Sequence, residues 1–167
     1  IADGVKELNL ISQDSTYYGL DLRPERSGAI SAPERFNAAV KSLPAEATTI
    51  CTLLRELNAL PGQFWIRLLY THPAHWTDEL IRTIALSVPP PIATFLLTSE
   101  QTPQGIIEHH SRTGTNTIQI VDELTGRAYH EIREALPSVK LVQVIHVVGE
   151  QSVDEAAELA EHVDAIL

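Results

Sequence analysis

Short apolar runs alternate with segments of helical period along this chain, the pattern of strand-then-helix units that feed a parallel sheet. Runs rich in aliphatic and β-branched residues predict strands over Glu7 to Ser12, Phe64 to Tyr70, Ile92 to Thr98, Thr117 to Asp122, Lys140 to Val147 and Val163 to Leu167. Two of them, Ala93-Thr94-Phe95-Leu96-Leu97 and Val142-Gln143-Val144-Ile145-His146-Val147, are apolar almost throughout, as strands covered on both faces are. Between the strands, helical periodicity predicts helices over Thr48 to Leu60, Thr77 to Ser87, Pro103 to Thr113, Thr125 to Leu136 and Val153 to His162.

The helix ends carry their own signals. Thr77 can cap a helix that continues with Asp78 and Glu79, two carboxylates at the positive end of the helix dipole. Thr102-Pro103 repeats the device with proline at the first helical position, and Gly114 offers a left-handed stop. Ser152, ahead of Asp154 and Glu155, reads as a third cap. The stretch from Asp21 to Ala47 breaks the rhythm with Pro24, Pro33 and Pro44 and reads as an insertion holding one short helix over Pro33 to Val40. A connection of that length is usually functional or mobile. Pro89-Pro90-Pro91 reads as a stiff extended lead into the third strand.

The expected fold class is therefore α/β: a partial TIM-type (βα) barrel of about six parallel strands, with a flavodoxin-like doubly wound open sheet as the alternative. Both architectures gather ligands at the C-terminal ends of the strands. That rule selects Gln13 and Asp14 after the first strand, His72 after the second, Ser99 after the third, Asp122 after the fourth and His146 near the end of the fifth. Open strand edges invite pairing with another chain, so a homodimer is the expected partner state.

Composition narrows the classes. With 167 residues, 44% hydrophobic and 20% charged, the chain suits one globular domain. A net charge of −10 argues against a nucleic-acid partner, which would demand clustered Lys and Arg. No apolar run approaches a membrane span, and the first residues lack the basic-then-apolar pattern of a secretory leader, so the expectation is a soluble cytoplasmic protein. The absence of Met points to a processed start or to an excised or engineered segment. The single Cys51 lies in a helical segment and reads as a buried structural thiol; it excludes an internal disulfide or a cysteine-rich metal site within these residues.

Two resemblances meet inside one helix. The first is carried by Ala2-Asp3-Gly4-Val5-Lys6-Glu7-Leu8-Asn9-Leu10-Ile11-Ser12-Gln13-Asp14, by Tyr17-Tyr18-Gly19-Leu20-Asp21 and by Trp65-Ile66-Arg67-Leu68-Leu69-Tyr70-Thr71-His72-Pro73. Through these, residues 1–84 resemble the radical-SAM methylthiotransferases that modify a ribosomal-protein aspartate, and Gln13, Arg67 and His72 become candidates for contact with S-adenosylmethionine. The second rests on Pro89 to Ser99, Gly114 to Asp122 and Leu141 to Val147, through which residues 78–167 resemble phosphoribosylanthranilate isomerase-type barrels. That likeness implies a small phosphorylated ligand near Ser99, Asp122 and His146. The two overlap in Asp78-Glu79-Leu80-Ile81-Arg82-Thr83-Ile84-Ala85.

Each family's chemistry then lacks parts. A radical-SAM cluster needs three cysteines, and this chain has one. The isomerase needs a general acid and base, in the family a Cys after the first strand and an Asp after the sixth, and neither is matched. His72, His146, Asp122 and Asp14 could in principle form a new metal or acid–base site, but no tight spacing supports one, and His109, His110, His130 and His162 read as solvated helix faces. Gly126 and Gly149 are isolated, without a phosphate-cradling pattern. No cofactor and no catalytic residue are expected. The leading expectation is an engineered or recombined fragment chimera without an intact active site; isomerase-like phosphate-sugar binding and a methylthiotransferase fragment that binds S-adenosylmethionine remain open beside it.

Overall fold

A computed structural model of the chain describes residues 1–20, 23 and 30–167. Its contacts divide it into two compact units, Ile1–Ser87 and Val88–Leu167. Asp21 and Pro24 of the expected insertion lie outside the described residues.

In the first unit, β1 (Glu7–Leu10) and β2 (Trp65–Leu68) pair in parallel with Glu7 opposite Trp65 and Leu10 opposite Leu68. Three helices accompany them: α1 (Pro33–Lys41), α2 (Ile50–Asn58) and α3 (Asp78–Ser87). The apolar stripe of α2, Ile50, Cys51 and Leu54, packs with Leu80 of α3 against Leu10, Ile66 and Leu68, the inward positions of the two strands. Thr49 and Thr52 close a reciprocal cap on α2, and the Thr77 hydroxyl accepts from Leu80 N–H at 3.1 Å, as the sequence predicts. Arg55 ties α2 to α3 by donating to Glu79 at 3.0 Å and Thr83 at 2.9 Å. A separate cluster of Leu20, Ile30 and Phe36 seats α1.

In the second unit, β3 (Phe95–Thr98), β4 (Thr117–Ile120), β5 (Lys140–Gln143) and β6 (Ala165–Ile166) form one parallel sheet in sequential order. A doubly wound sheet reverses its strand order partway. The uninterrupted order instead has the winding of a (βα) barrel, here not closed among the described residues. The connecting helices α4 (Pro103–Thr113), α5 (Gly126–Ala135) and α6 (Gln151–Leu159) bury Ile106, Tyr129, Ile132 and Leu159 against Ile118, Ile120 and Leu141. Fully burying each such aliphatic side chain stabilises the unit by roughly 1.5–3 kcal/mol. Thr102 caps α4 and Gly114 ends it at φ 72°.

Several expectations change in detail. All six strands are present but shorter than predicted, because a strand is defined by its pairing and not by apolar character. The ladder beyond β5 ends with Ile145 N–H on Leu167 C=O, so Val147 and Val148 stand exposed. The apolar run in β3 is covered on one face: Leu96 and Thr98 are buried while Phe95 and Leu97 are exposed. Ser152 lies inside α6, which starts two residues earlier than predicted, and its hydroxyl accepts from Val148 N–H. The proline run is a turn and not an extended lead, with a cis Pro90–Pro91 peptide and Ile92 N–H on Pro89 C=O.

Candidate functional site

The loops after β1 and β2 are stitched together. Ser15 donates its N–H to Tyr70 C=O at 2.9 Å and its hydroxyl to Leu69 C=O at 2.7 Å, which brings the two strand ends side by side. Asp14 caps the short turn Ser15–Tyr17 by accepting from Thr16 N–H at 3.0 Å and from the Thr16 hydroxyl. His72 does the same for the turn Pro73–His75, its Nδ1 accepting from Ala74 N–H at 3.2 Å.

His75 joins these turns. Its side chain is 4% exposed, with Nδ1 2.7 Å from Asp14 Oδ2 and Nε2 2.5 Å from Ile30 C=O. The ring stacks on Phe36 at 4.1 Å and 14°, on His72 at 4.4 Å, and meets the edge of Tyr17 at 5.3 Å. Burial raises the Asp14 carboxyl, but hydrogen bonds from Thr16 and His75 outweigh it and hold Asp14 below the usual carboxylate range. Beneath the cluster a cavity of about 20 Å³, bordered by Thr16, His75, Thr77 and Cys51, has room for about one water.

The candidate residues therefore separate. Asp14 and His72 share a cluster through His75, a residue that the sequence patterns do not single out. Gln13 is exposed beside Asp14. Arg67 lies on the open face of β2, where its guanidinium makes two hydrogen bonds to Glu7 at 2.7 and 3.2 Å, and Trp65 Nε1 donates to the same carboxylate at 2.6 Å. These bonds, the one from Arg67 first, bring Glu7 down to about 2. In the second unit Ser99 and His146 are exposed, and Asp122 accepts from Gln101 at 3.2 Å. Among the described residues no hydrogen bond joins Ser99, Asp122 and His146 to one another.

An iron–sulfur cluster does not fit these residues. The one thiol, Cys51, is buried in α2 and pushed up by burial and by the Glu79 charge, and among the described residues no three His, Cys, Asp or Glu side chains converge as metal ligands. Among the same residues no helix is long and apolar enough to cross a membrane.

No family model matches the chain. The ribosomal protein uS12 methylthiotransferase RimO of Opitutus terrae is 53% identical over 51% of this chain and 16% of its own length. That of Akkermansia muciniphila is 34% identical over 98% of this chain and 33% of its own length. Phosphoribosyl anthranilate isomerase from Thermotoga maritima superposes with a TM-score of 0.47 at 19% identity, covering 55% of this chain and 45% of that one. The chain spans about a third or less of the curated relatives it matches. By sequence, then, this chain is similar along nearly its whole length to ribosomal protein uS12 methylthiotransferases.

Proposed function

We propose that the chain is a segment of a uS12-type radical-SAM methylthiotransferase, supplying consecutive βα units to a barrel whose iron–sulfur ligands come from other residues. The supporting observation is the 34% identity to a uS12 methylthiotransferase over 98% of the chain, a match that runs across the helix where the two resemblances overlap. On this reading the loops after β1 and β2, with Gln13, Asp14 and His72, are the part of the rim that faces S-adenosylmethionine. His72 Nδ1 is occupied by Ala74 N–H, which leaves its Nε2 as the outward-facing donor when the ring is neutral.

A second reading takes the chain as recombined, its halves coming from different barrels; the 34% match over 98% of the chain runs against it, and one coincidence of position stands on its side. The chain divides at Ser87/Val88, a few residues past the overlap of the two resemblances. A phosphate-sugar site in the second unit has less support. The loops Ser99–Thr102, Val121–Thr125 and Val144–Glu150 carry Glu100, Asp122, Glu123 and Glu150 and no Lys or Arg.

Transplanting residues 1–167, or residues 1–87 alone, into the matching stretch of the Akkermansia muciniphila enzyme separates the readings. Cluster content and uS12 methylthiolation are measured after reconstitution. Activity in both hybrids supports the proposal, and activity only in the 1–87 hybrid supports recombination. Loss of methylthiolation in both, with the cluster intact, refutes the methylthiotransferase assignment.

A further inference from the structure

Ile30 is held at both of its backbone polar groups. Its N–H donates to Tyr17 Oη at 2.8 Å, and its carbonyl takes His75 Nε2. The other ring nitrogen of His75 faces Asp14. A carbonyl and an ionised carboxylate only accept, and a neutral imidazole has a single N–H, so it can serve one of the two partners. The imidazolium serves both. At 4% exposure the ring is cut off from bulk solvent, so a missing donor leaves one buried acceptor dependent on the single water that the adjoining cavity has room for.

We propose that His75 in its doubly protonated form is a proton-dependent latch, fastening the segment from Ile30 through α1 to the loops at the C-terminal ends of β1 and β2. The proton strengthens three contacts together: the ion pair to Asp14, the bond to the Ile30 carbonyl, and the stack on Phe36, whose ring face attracts a cation. Phe36 is the buried residue of α1, so the latch acts on the helix at its anchoring point.

The surroundings set the direction. From the Ser15–Tyr17 turn and its cap, Asp14 and Tyr17 face His75; Arg23 lies 5.7 Å over the Tyr17 ring. From its own turn comes His72, exposed and stacked on it. Cys51 of α2 borders the same small cavity, and α3 contributes Leu80 there beside Thr77, neither of which titrates. Glu34, Arg35 and Lys41 of α1 are exposed. Asp14 stays ionised below the usual carboxylate range, so the closed latch keeps its counter-charge over the whole neutral range. A group that holds a proton when closed and loses it when open is favoured closed at low pH. The latch therefore loosens as pH rises. One linked proton changes the opening equilibrium by up to tenfold per pH unit.

Two measurements on the 167-residue chain test this. Imidazole nitrogen NMR at pH 6 is expected to show both His75 nitrogens protonated; a neutral single-proton tautomer there overturns the latch. Amide hydrogen exchange, corrected for intrinsic rates, is expected to show α1 protection falling by up to tenfold per pH unit from pH 6.5 to 8.5, with α5 as the flat control. His75→Gln should abolish that slope and His72→Asn should keep it. A flat wild-type profile, or a slope surviving in His75→Gln, overturns the proposal, and the nitrogen spectrum decides if that variant does not fold.

Discussion

The Tyr129 hydroxyl donates to Gln143 Oε1 at 2.6 Å in the interior of the second unit, joining α5 to β5 where both side chains are almost fully buried. Gln143 in turn donates to the carbonyls of Asp122 at 3.2 Å and Val144 at 2.9 Å, which fixes the backbone just past β4 and β5. Burial raises the Tyr129 phenol, so it remains a protonated donor through neutral pH. Tyr129→Phe strands a buried acceptor and should cost about 1–3 kcal/mol in urea unfolding. Adding Gln143→Leu should cost less than the sum of the single changes, because the orphaned acceptor is then gone.

Asp164 accepts from Leu141 N–H at 2.9 Å, Lys140 Nζ at 2.9 Å and Arg133 at 2.6 Å. Burial alone would raise it, but these donors outweigh burial and bring its carboxyl down to about 2. A folded-state value below the unfolded one gives stability that is present above about pH 4 and lost as pH falls toward 2. Carboxyl NMR should place the Asp164 midpoint near the bottom of that window. Asp164→Asn should flatten the acid limb of the stability curve for the second unit.

Gly19 and Gly4 both have positive φ, 86° and 85°, yet they should respond very differently to alanine. A Cβ at Gly19 would collide with the Thr48 carbonyl oxygen, a backbone atom, whereas at Gly4 nothing lies within 4 Å. Gly4→Ala carries only the left-handed backbone cost of about 1–2 kcal/mol. Gly19→Ala adds overpacking of about 1–3 kcal/mol. Equal urea midpoints for the two variants would contradict the close approach.

Glu7 offers a spectroscopic test of the open face of β1 and β2. Its carboxylate accepts from Trp65 Nε1, and it titrates at about 2. In a Trp76→Phe background, Trp65 fluorescence should stay constant from neutral pH down to about 4 and change only below about 3. Arg67→Met removes the partner that lowers Glu7 most and should move that transition upward.

The order of βα units was readable because its signals are local. Thr77, Thr102 and Gly114 mark helix ends through bonds within three or four residues, and all three behave as the sequence implies. Ser152 carried the same signal and sits inside α6, since a hydroxyl one turn into the helix can serve Val148 N–H equally well. The site was only partly readable. Asp14 and His72 were selected by their position after strands, but His75 was not, because nothing within its own turn distinguishes a buried imidazole from an exposed one.

By itself the sequence determined the alternation of elements, the parallel α/β class and the lack of cysteine ligands for a cluster, all of which follow from side-chain period and composition. The tertiary structure alone decided that β3 to β6 run in uninterrupted order, that contacts divide at Ser87, and that Asp14, Ile30, Phe36 and His75 meet. Those outcomes depend on strand pairing and on contacts spanning tens of residues, and the energy of such contacts is set by burial and approach geometry, which no local pattern encodes.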